Sequence, residues 1–275
     1  MDGERDWFLM PDERGNPDTA IDRRVPDGTA WTDGNAVSPL VHGRAYFERL
    51  VGCLRELRTG DRMWFTDWRG DEDQVLTPDG ARLGDLLVEL ASRGIEVRGL
   101  LWRSHSKAIG YQAEEHVKLA DRVNEVGGRV MLDERVRRAG SHHQKMVILR
   151  HPGRPEQDVA FVGGIDLCHG RRDDHRHLGD PQAVHLDDGH YGEQPPWHDL
   201  QLELRGPVVD DLAFTFAERW QDPTPIDVRT PVRAVLQRYS KHPDEPGPLA
   251  PSVQPPADGP LAVQVLRTYP VLRNG

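Results

Sequence analysis

Tyr46-Phe-Glu-Arg-Leu-Val-Gly-Cys-Leu-Arg-Glu-Leu57, followed by Met63-Trp-Phe-Thr66, is the stretch on which the fold turns. Tyr46, Phe47, Leu50, Val51, Leu54 and Leu57 recur at helical spacing on one face, and Gly60 ends the run. Met63–Thr66 then reads as a strand. The same alternation repeats downstream: a helix over 81–93 carrying Leu83, Leu86, Leu87 and Leu90, a strand over Ile95–Trp102, a helix over roughly 111–126 and a short strand at Arg129–Asp133. Strands alternating with helices predict an α/β fold, a mixed, mainly parallel sheet with helices on both faces.

Working outward, residues 1–40 are rich in Asp, Gly, Pro and Arg with little periodicity, and read as an irregular N-terminal arm. On the other side, Lys145–Leu149 and Val159–Val162 are strand-like and flank the turn His151-Pro-Gly-Arg-Pro155. After Gly163-Gly164 comes a stretch of about 35 residues dense in His, Asp, Arg and Gly, a length that in a compact domain suggests function. An alternating strand over Asp199–Leu204 and a helix from about 208 to 220 close a domain at 41–221. Residues 222–260 read as a Pro-rich linker, with seven prolines between 243 and 260. Residues 261–275 open a new strand at Leu261, which either pairs back onto the sheet or starts a second, missing half; the second reading is preferred.

The chain has 275 residues, a net charge of −10, 29% charged and 37% hydrophobic residues. The apolar share is low yet sufficient for a core. The acidic balance argues against bulk phosphate attraction, so nucleic acid is not an expected partner. Cys53 and Cys168 form no disulfide framework or zinc-ribbon spacing. No run approaches the roughly 18 apolar residues of a spanning helix, and the N-terminus has no signal-peptide character. The expected location is cytoplasmic, with peripheral contact to membranes.

Ser141-His-His-Gln-Lys145 carries the most chemistry. Lysine occurs only four times, at 107, 118, 145 and 241, and Lys145 stands two residues from His143, on the same face if the segment is extended. An imidazole beside a fixed ammonium suits attack on a phosphodiester: the histidine supplies a nucleophilic nitrogen and the lysine neutralises the non-bridging oxygens. Phe161-Val-Gly163-Gly164-Ile-Asp166 follows closely, and a glycine pair after a strand lets backbone amides approach an anion.

Together, His143-x-Lys145 and Gly163-Gly164-x-Asp166 resemble the first signature of the phospholipase D superfamily. Gly163–Cys168, Gly170-Arg-Arg-Asp173, Pro196-Trp-His-Asp199, Gly206-Pro207 ahead of Phe216-x-Glu-Arg-Trp220, and Gly34–Val37 before Gly43–Phe47 resemble the N-terminal half of the phosphatidylcholine-type enzymes, over roughly 30–220. The resemblance implies a phosphodiesterase that hydrolyses or transphosphatidylates glycerophospholipids through a phosphohistidine at His143, with Lys145, Gly163, Gly164 and Asp166 on the phosphate. His198 and Asp199 would support the pocket. No cofactor is implied, and the partner is a phospholipid at a membrane surface.

Two departures stand out. The aspartate expected five positions after the lysine is Arg150, and Asp158 is the candidate replacement. The family uses two H-x-K motifs to supply nucleophile and acid for in-line displacement, and this chain contains one. The second comes from a C-terminal extension or from a homodimer partner, or the chain is an inactive half. A single-motif dimeric nuclease is the rival within the superfamily, and the charge and the Gly-Ile-Asp-Leu-Cys motif weigh against it. A cardiolipin-synthase-like transferase would bring membrane helices.

His169, His175, His177, His185, His190 and His198, mixed with Asp173, Asp174, Asp187 and Asp188, have the chemistry for zinc or manganese. Their spacings fit no regular ligand pattern, so no metal is expected and a solvated loop accounts for most of them. Trp64, Trp68, Trp102 and Trp197 read as core packing before a lipid-facing groove. Arg69, Arg103, Arg171 and Arg172 are headgroup candidates that abundance alone does not separate.

Overall fold

The computed structural model describes residues 7–10, 13, 21, 24, 31–103, 113–133, 135–136, 140–181, 196–222, 246–251 and 253–268, with side chains of helix 113–125 described from 116 onward. Eight strands form one sheet: β1 (Trp31–Val41), β2 (Arg62–Asp67), β3 (Glu96–Trp102), β4 (Arg129–Asp133), β5 (Met146–Arg150), β6 (Val159–Gly163), β7 (Leu200–Arg205) and β8 (Leu261–Gln264). Four helices accompany them: α1 (His42–Glu56), α2 (Leu83–Ser92), α3 (Ala113–Glu125) and α4 (Val208–Trp220). The strand order is β4-β3-β2-β5-β6-β7-β1-β8.

The α/β class is as expected, with the elements from 42 to 220 falling within a few residues of their predicted bounds. The pairing sense differs from a mainly parallel sheet. Only β2–β3 and β3–β4 are parallel; β2–β5, β5–β6, β6–β7, β7–β1 and β1–β8 are antiparallel. The β5–β6 pair is antiparallel because its connection is short, a turn and one 3-10 turn at Pro155–Gln157, where a parallel crossover needs about a dozen residues.

Alternation along the strands divides the core in two. Met63 and Phe65, Val97 and Leu101, Val130 and Leu132, Val147 and Leu149 face α1, α2 and α3. Trp64, Leu100, Met131, Met146, Ile148 and Ala160 face α4, whose Phe216 and Trp220 stack in series with Trp64. Helices therefore cover both faces.

Two organisational expectations are corrected. The irregular arm of 1–40 contains β1, eleven residues long and hydrogen-bonded on both sides. Its Gly34, Asn35 and Pro39 hide the strand from periodicity, but Asn35 is fully buried and connects three elements. Its amide donates to the carbonyl of Thr32 (2.6 Å) and of Leu261 (3.2 Å), and its Oδ1 accepts the Val208 amide that opens α4 (2.8 Å). The strand at 261, expected to start a second half, is β8 and pairs antiparallel with β1 (Trp31 opposite Gln264, Thr32 opposite Val263). The described part of the proline-rich segment lies on the domain: Trp220 Nε1 donates to the Gly247 carbonyl (2.8 Å), and Arg62 to the carbonyls of Ala250 and Pro251.

Candidate active site

His143 and Lys145 lie in the extended run that leads into β5. Lys145 O accepts the Gly163 amide (3.4 Å), so the β5–β6 ladder continues to the lysine and fixes its backbone. The Lys145 side chain is 3% exposed, whereas His143 is exposed. The ammonium is held from below by an ion pair with Asp166 Oδ1 at 3.2 Å and from its own segment by the His143 carbonyl at 3.3 Å. The buried lysine is thus paired beneath an accessible imidazole. The His143 pKa is lowered from its ordinary value, first by partial burial and then by the Lys145 charge, which favours the neutral, nucleophilic ring at pH 7.

Asp166 is nearly fully buried. Arg171 Nε approaches its Oδ2 at 3.6 Å, and Asp67 lies against it. Burial pushes the Asp67 carboxyl well above the usual range, and the Asp166 charge and a hydrogen bond to Asp166 add to that. Burial and the neighbouring Asp166 thus favour the neutral form of Asp67, which also accepts the Leu167 amide at 3.0 Å. Residue spacing did not single out Asp67. The available signal was an aspartate at the carboxyl end of an apolar parallel strand, where α/β sites gather.

Aromatic rings flank the pair. Trp68 meets His143 edge-on (5.6 Å between centroids), carries Lys145 Nζ 5.9 Å above its ring and stacks on Trp102. Arg171 lies 3.6 Å over the Trp197 ring. Of the four candidate arginines, Arg171 is at the site; Arg69 pairs with Asp71 and Arg172 with Asp180. Trp64 is core. A cavity of about 660 Å³ opens at His143 and Lys145, walled by Val162, Leu212, Val265 and Leu266.

Other sequence candidates fall elsewhere. Asp158 sits at the far end of β5–β6, about 17 Å of strand away at the usual rise per residue. There it pairs with Arg150 Nε (2.9 Å) and accepts the His151 amide (2.6 Å). The expected motif aspartate is thus replaced by an arginine whose partner is Asp158, and neither is brought to His143. Gly163 and Gly164 are at the site, but their amides are used: Gly164 donates to the Leu200 carbonyl at 3.0 Å. A Cβ on Gly164 would lie 2.2 Å from Asp199 Oδ1, so the glycines permit close packing on the start of β7 and do not present amides to an anion. Asp199 accepts the Leu200 amide and Trp197 Nε1 (3.1 Å), fixing the ring that carries Arg171.

His198 turns away toward His42 and His177. His169 is buried between Asp71 and Asp73, and His175 is exposed. His185, His190, Asp187 and Asp188 lie outside the described residues. His142, next to His143, is buried above Asp133 and Arg219; burial first, then Arg219, lowers its pKa to about 3, so it is a neutral core residue.

The phospholipase D family model matches residues 69–245, which contain the H-x-K segment, the glycine pair and the Trp197-His198-Asp199 corner. The chain belongs to the phospholipase D family. Among its relatives, phospholipase D alpha 1 of Carica papaya is 29% identical over 261 residues, covering 77% of this chain and 31% of the relative. Phospholipase D alpha 1 of Vigna unguiculata is 30% identical over 188 residues, 55% of this chain and 23% of that one. The chain spans under a third of the length of these phospholipases. A solved polyphosphate kinase of Porphyromonas gingivalis superposes with a TM-score of 0.43 at 14% identity, over 81% of this chain and 30% of that one, a likeness too weak to bear on function.

Proposed function

We propose that this phospholipase D family chain is a phosphodiesterase that cleaves glycerophospholipid diesters through a phosphohistidine at His143. The observation that carries the reading is the accessible, neutral His143 over a buried Lys145 that is fixed by the Asp166–Asp67 carboxyl pair. The imidazole nitrogen attacks phosphorus, a P–N bond forms, and the P–O bond to the leaving alcohol breaks in line. Lys145 offsets the charge growing on the non-bridging oxygens. The leaving oxygen takes a proton from an acid on the opposite side; water or a second alcohol then gives its proton to that same group and attacks phosphorus, a new P–O bond forms and the P–N bond breaks to free His143.

The acid is the histidine of a second H-x-K unit, supplied by a C-terminal extension or by a second copy of the chain. Asp166 acts by holding Lys145, since a carboxylate repels phosphate. The apolar cavity wall of Val162, Leu212, Val265 and Leu266 suits the glyceride part of a lipid, and Arg171 with Trp197 the headgroup side. No helix among the described residues is long and apolar enough to cross a membrane.

The test is phosphatidylethanol formation from phosphatidylcholine and ethanol, with acid quench for a labelled phosphoramidate. Product and label that both vanish in His143→Ala support the proposal. Label retained in His143→Ala overturns the assignment of the nucleophile.

A further inference from the structure

Three histidines from separate parts of the sequence meet beside the active site. His42 opens α1, His177 lies in the loop after the Gly-Gly-x-Asp segment, and His198 precedes β7. Their ring centroids are 4.9 Å (42–177), 4.8 Å (42–198) and 5.4 Å (177–198) apart, and one nitrogen from each ring falls within 4.8 Å of the others. The Nδ1 atoms of His42 and His198 are 3.3 Å apart. A tetrahedral ion with Zn–N bonds of about 2.0–2.1 Å has ligand–ligand edges of about 3.3 Å, so two of the three nitrogens already span one edge.

The backbone is arranged around this meeting point. His42 (φ 68°) and His177 (φ 52°) are the two non-glycine residues with left-handed backbone among the described residues, and both belong to the cluster. Such a conformation costs a residue with a Cβ free energy and marks a place that the surroundings over-determine. The start of α1 is also clamped onto the loop: Arg44 N donates to the Asp173 carbonyl (3.0 Å), and a Cβ on Gly43 would lie 1.7 Å from the Arg171 carbonyl oxygen.

Electrostatics point the same way. Asp173 is fully buried, and among the described residues its carboxylate meets no arginine or lysine. Its Oδ2 lies 3.2 Å from His177 Nδ1, and it accepts the amides of Asp174, Gly179 and Trp197. A carboxylate on Nδ1–H orients the ring and leaves the Nε2 lone pair for a metal, the usual support of a ligating histidine. Asp174, the other carboxylate facing the cluster, pairs with Arg44 and Arg176.

We propose that His42, His177 and His198 bind a borderline divalent transition-metal ion, zinc in the first place, with Asp173 orienting His177 and one coordination position left to water. Three neutral imidazoles suit zinc and disfavour calcium and magnesium, which take oxygen ligands. The ion would tie the β1–α1 junction, the loop at 171–181 and the corner before β7 into one unit. Arg171 and Trp197 are carried by that unit, so the metal would fix the headgroup side of the cleft without touching the reacting atoms. This inference stands apart from the phosphodiesterase reading, because its readout is binding and not turnover.

The experiment uses the full 275-residue chain, stripped with EDTA and titrated with Zn²⁺ by calorimetry and with Co²⁺ by visible absorption. The expected result is one saturable equivalent, an intense Co²⁺ spectrum of low coordination number and a higher melting temperature with zinc. His42→Ala and His198→Ala should each lose at least about 100-fold in affinity, by analogy with the cost of disturbing ligand support, while His169→Gln binds as wild type. His42→Cys provides the reading should the alanine variants fail to fold: a thiolate-to-cobalt charge-transfer band appears if residue 42 is a ligand. The absence of a saturable equivalent overturns the proposal, as does unchanged affinity in His42→Ala and His198→Ala, or a folded His42→Cys that binds cobalt without that band.

Discussion

Asp158→Ala separates a structural carboxylate from a catalytic one. Asp158 and Arg150 are each 2% exposed at the side chain and pair at 2.9 Å. The other carboxylate oxygen accepts the His151 amide at 2.6 Å. Removing the carboxylate leaves a buried guanidinium and an unsatisfied amide, and a buried pair broken from one side typically costs about 3–5 kcal/mol. Arg150 retains Asp210 at 3.2 Å, a partner 17% exposed, and the Val253 carbonyl, which draws the expectation to the lower end, about 3 kcal/mol. That is a large part of the stability of an ordinary domain, about 5–15 kcal/mol. Urea unfolding at pH 7 measures it, as a lower midpoint at unchanged slope.

The double variant Arg150→Met with Asp158→Asn removes both charges and keeps an acceptor for His151. It should fall within about 1 kcal/mol of wild type. A loss under about 1 kcal/mol in Asp158→Ala would refute the buried-pair argument. A folded Asp158→Ala that forms no phosphohistidine would refute the structural assignment and return Asp158 to the active site.

The remaining predictions concern the site and its surroundings. Gly164→Ala places a Cβ 2.2 Å from Asp199 Oδ1 and should cost about 1–3 kcal/mol, read by thermal unfolding; wild-type stability would contradict the packing role. His142 is held neutral, with a folded pKa of about 3 against about 6.5 unfolded. Its contribution is complete above pH 6.5 and is lost as pH falls toward 3, about 2 kcal/mol of it by pH 5, so His142→Gln should flatten the stability profile over that range. An unchanged profile would count against the buried imidazole. Lys145→Gln removes one of the causes that lower the His143 pKa, so the ring should titrate higher in the variant by NMR. A His143 pKa that stays put or falls would mean the ammonium does not act on the imidazole.

Local chemistry made much of this protein legible in one dimension. α1 and α2 announce themselves by apolar residues, leucines among them, at helical spacing, and β2, β3 and β4 by short apolar runs. His143 and Lys145 stand out because lysine is rare here and the spacing puts it beside a histidine, which needs no tertiary information. What periodicity missed was whatever depends on a partner distant in sequence. β1 reads as an irregular arm because Gly34, Asn35 and Pro39 break its alternation, yet Asn35 is satisfied by residues 226 and 173 positions away. β6 runs back along β5 because their turn is too short for a crossover, and the strand at Leu261 pairs with β1.

The site shows the same division. Sequence picks out the candidate pair His143 and Lys145, but only the tertiary structure separates Asp158, committed to Arg150, from Asp166, which holds Lys145 beside Asp67. Carboxylates look alike in a string of residues; burial and the charge each one meets decide which holds a proton, which fixes a lysine and which neutralises an arginine. His42 belongs to the same class of surprise. Nothing near it in sequence marks it, and it becomes a partner of His177 and His198 only because the chain returns to the same point twice.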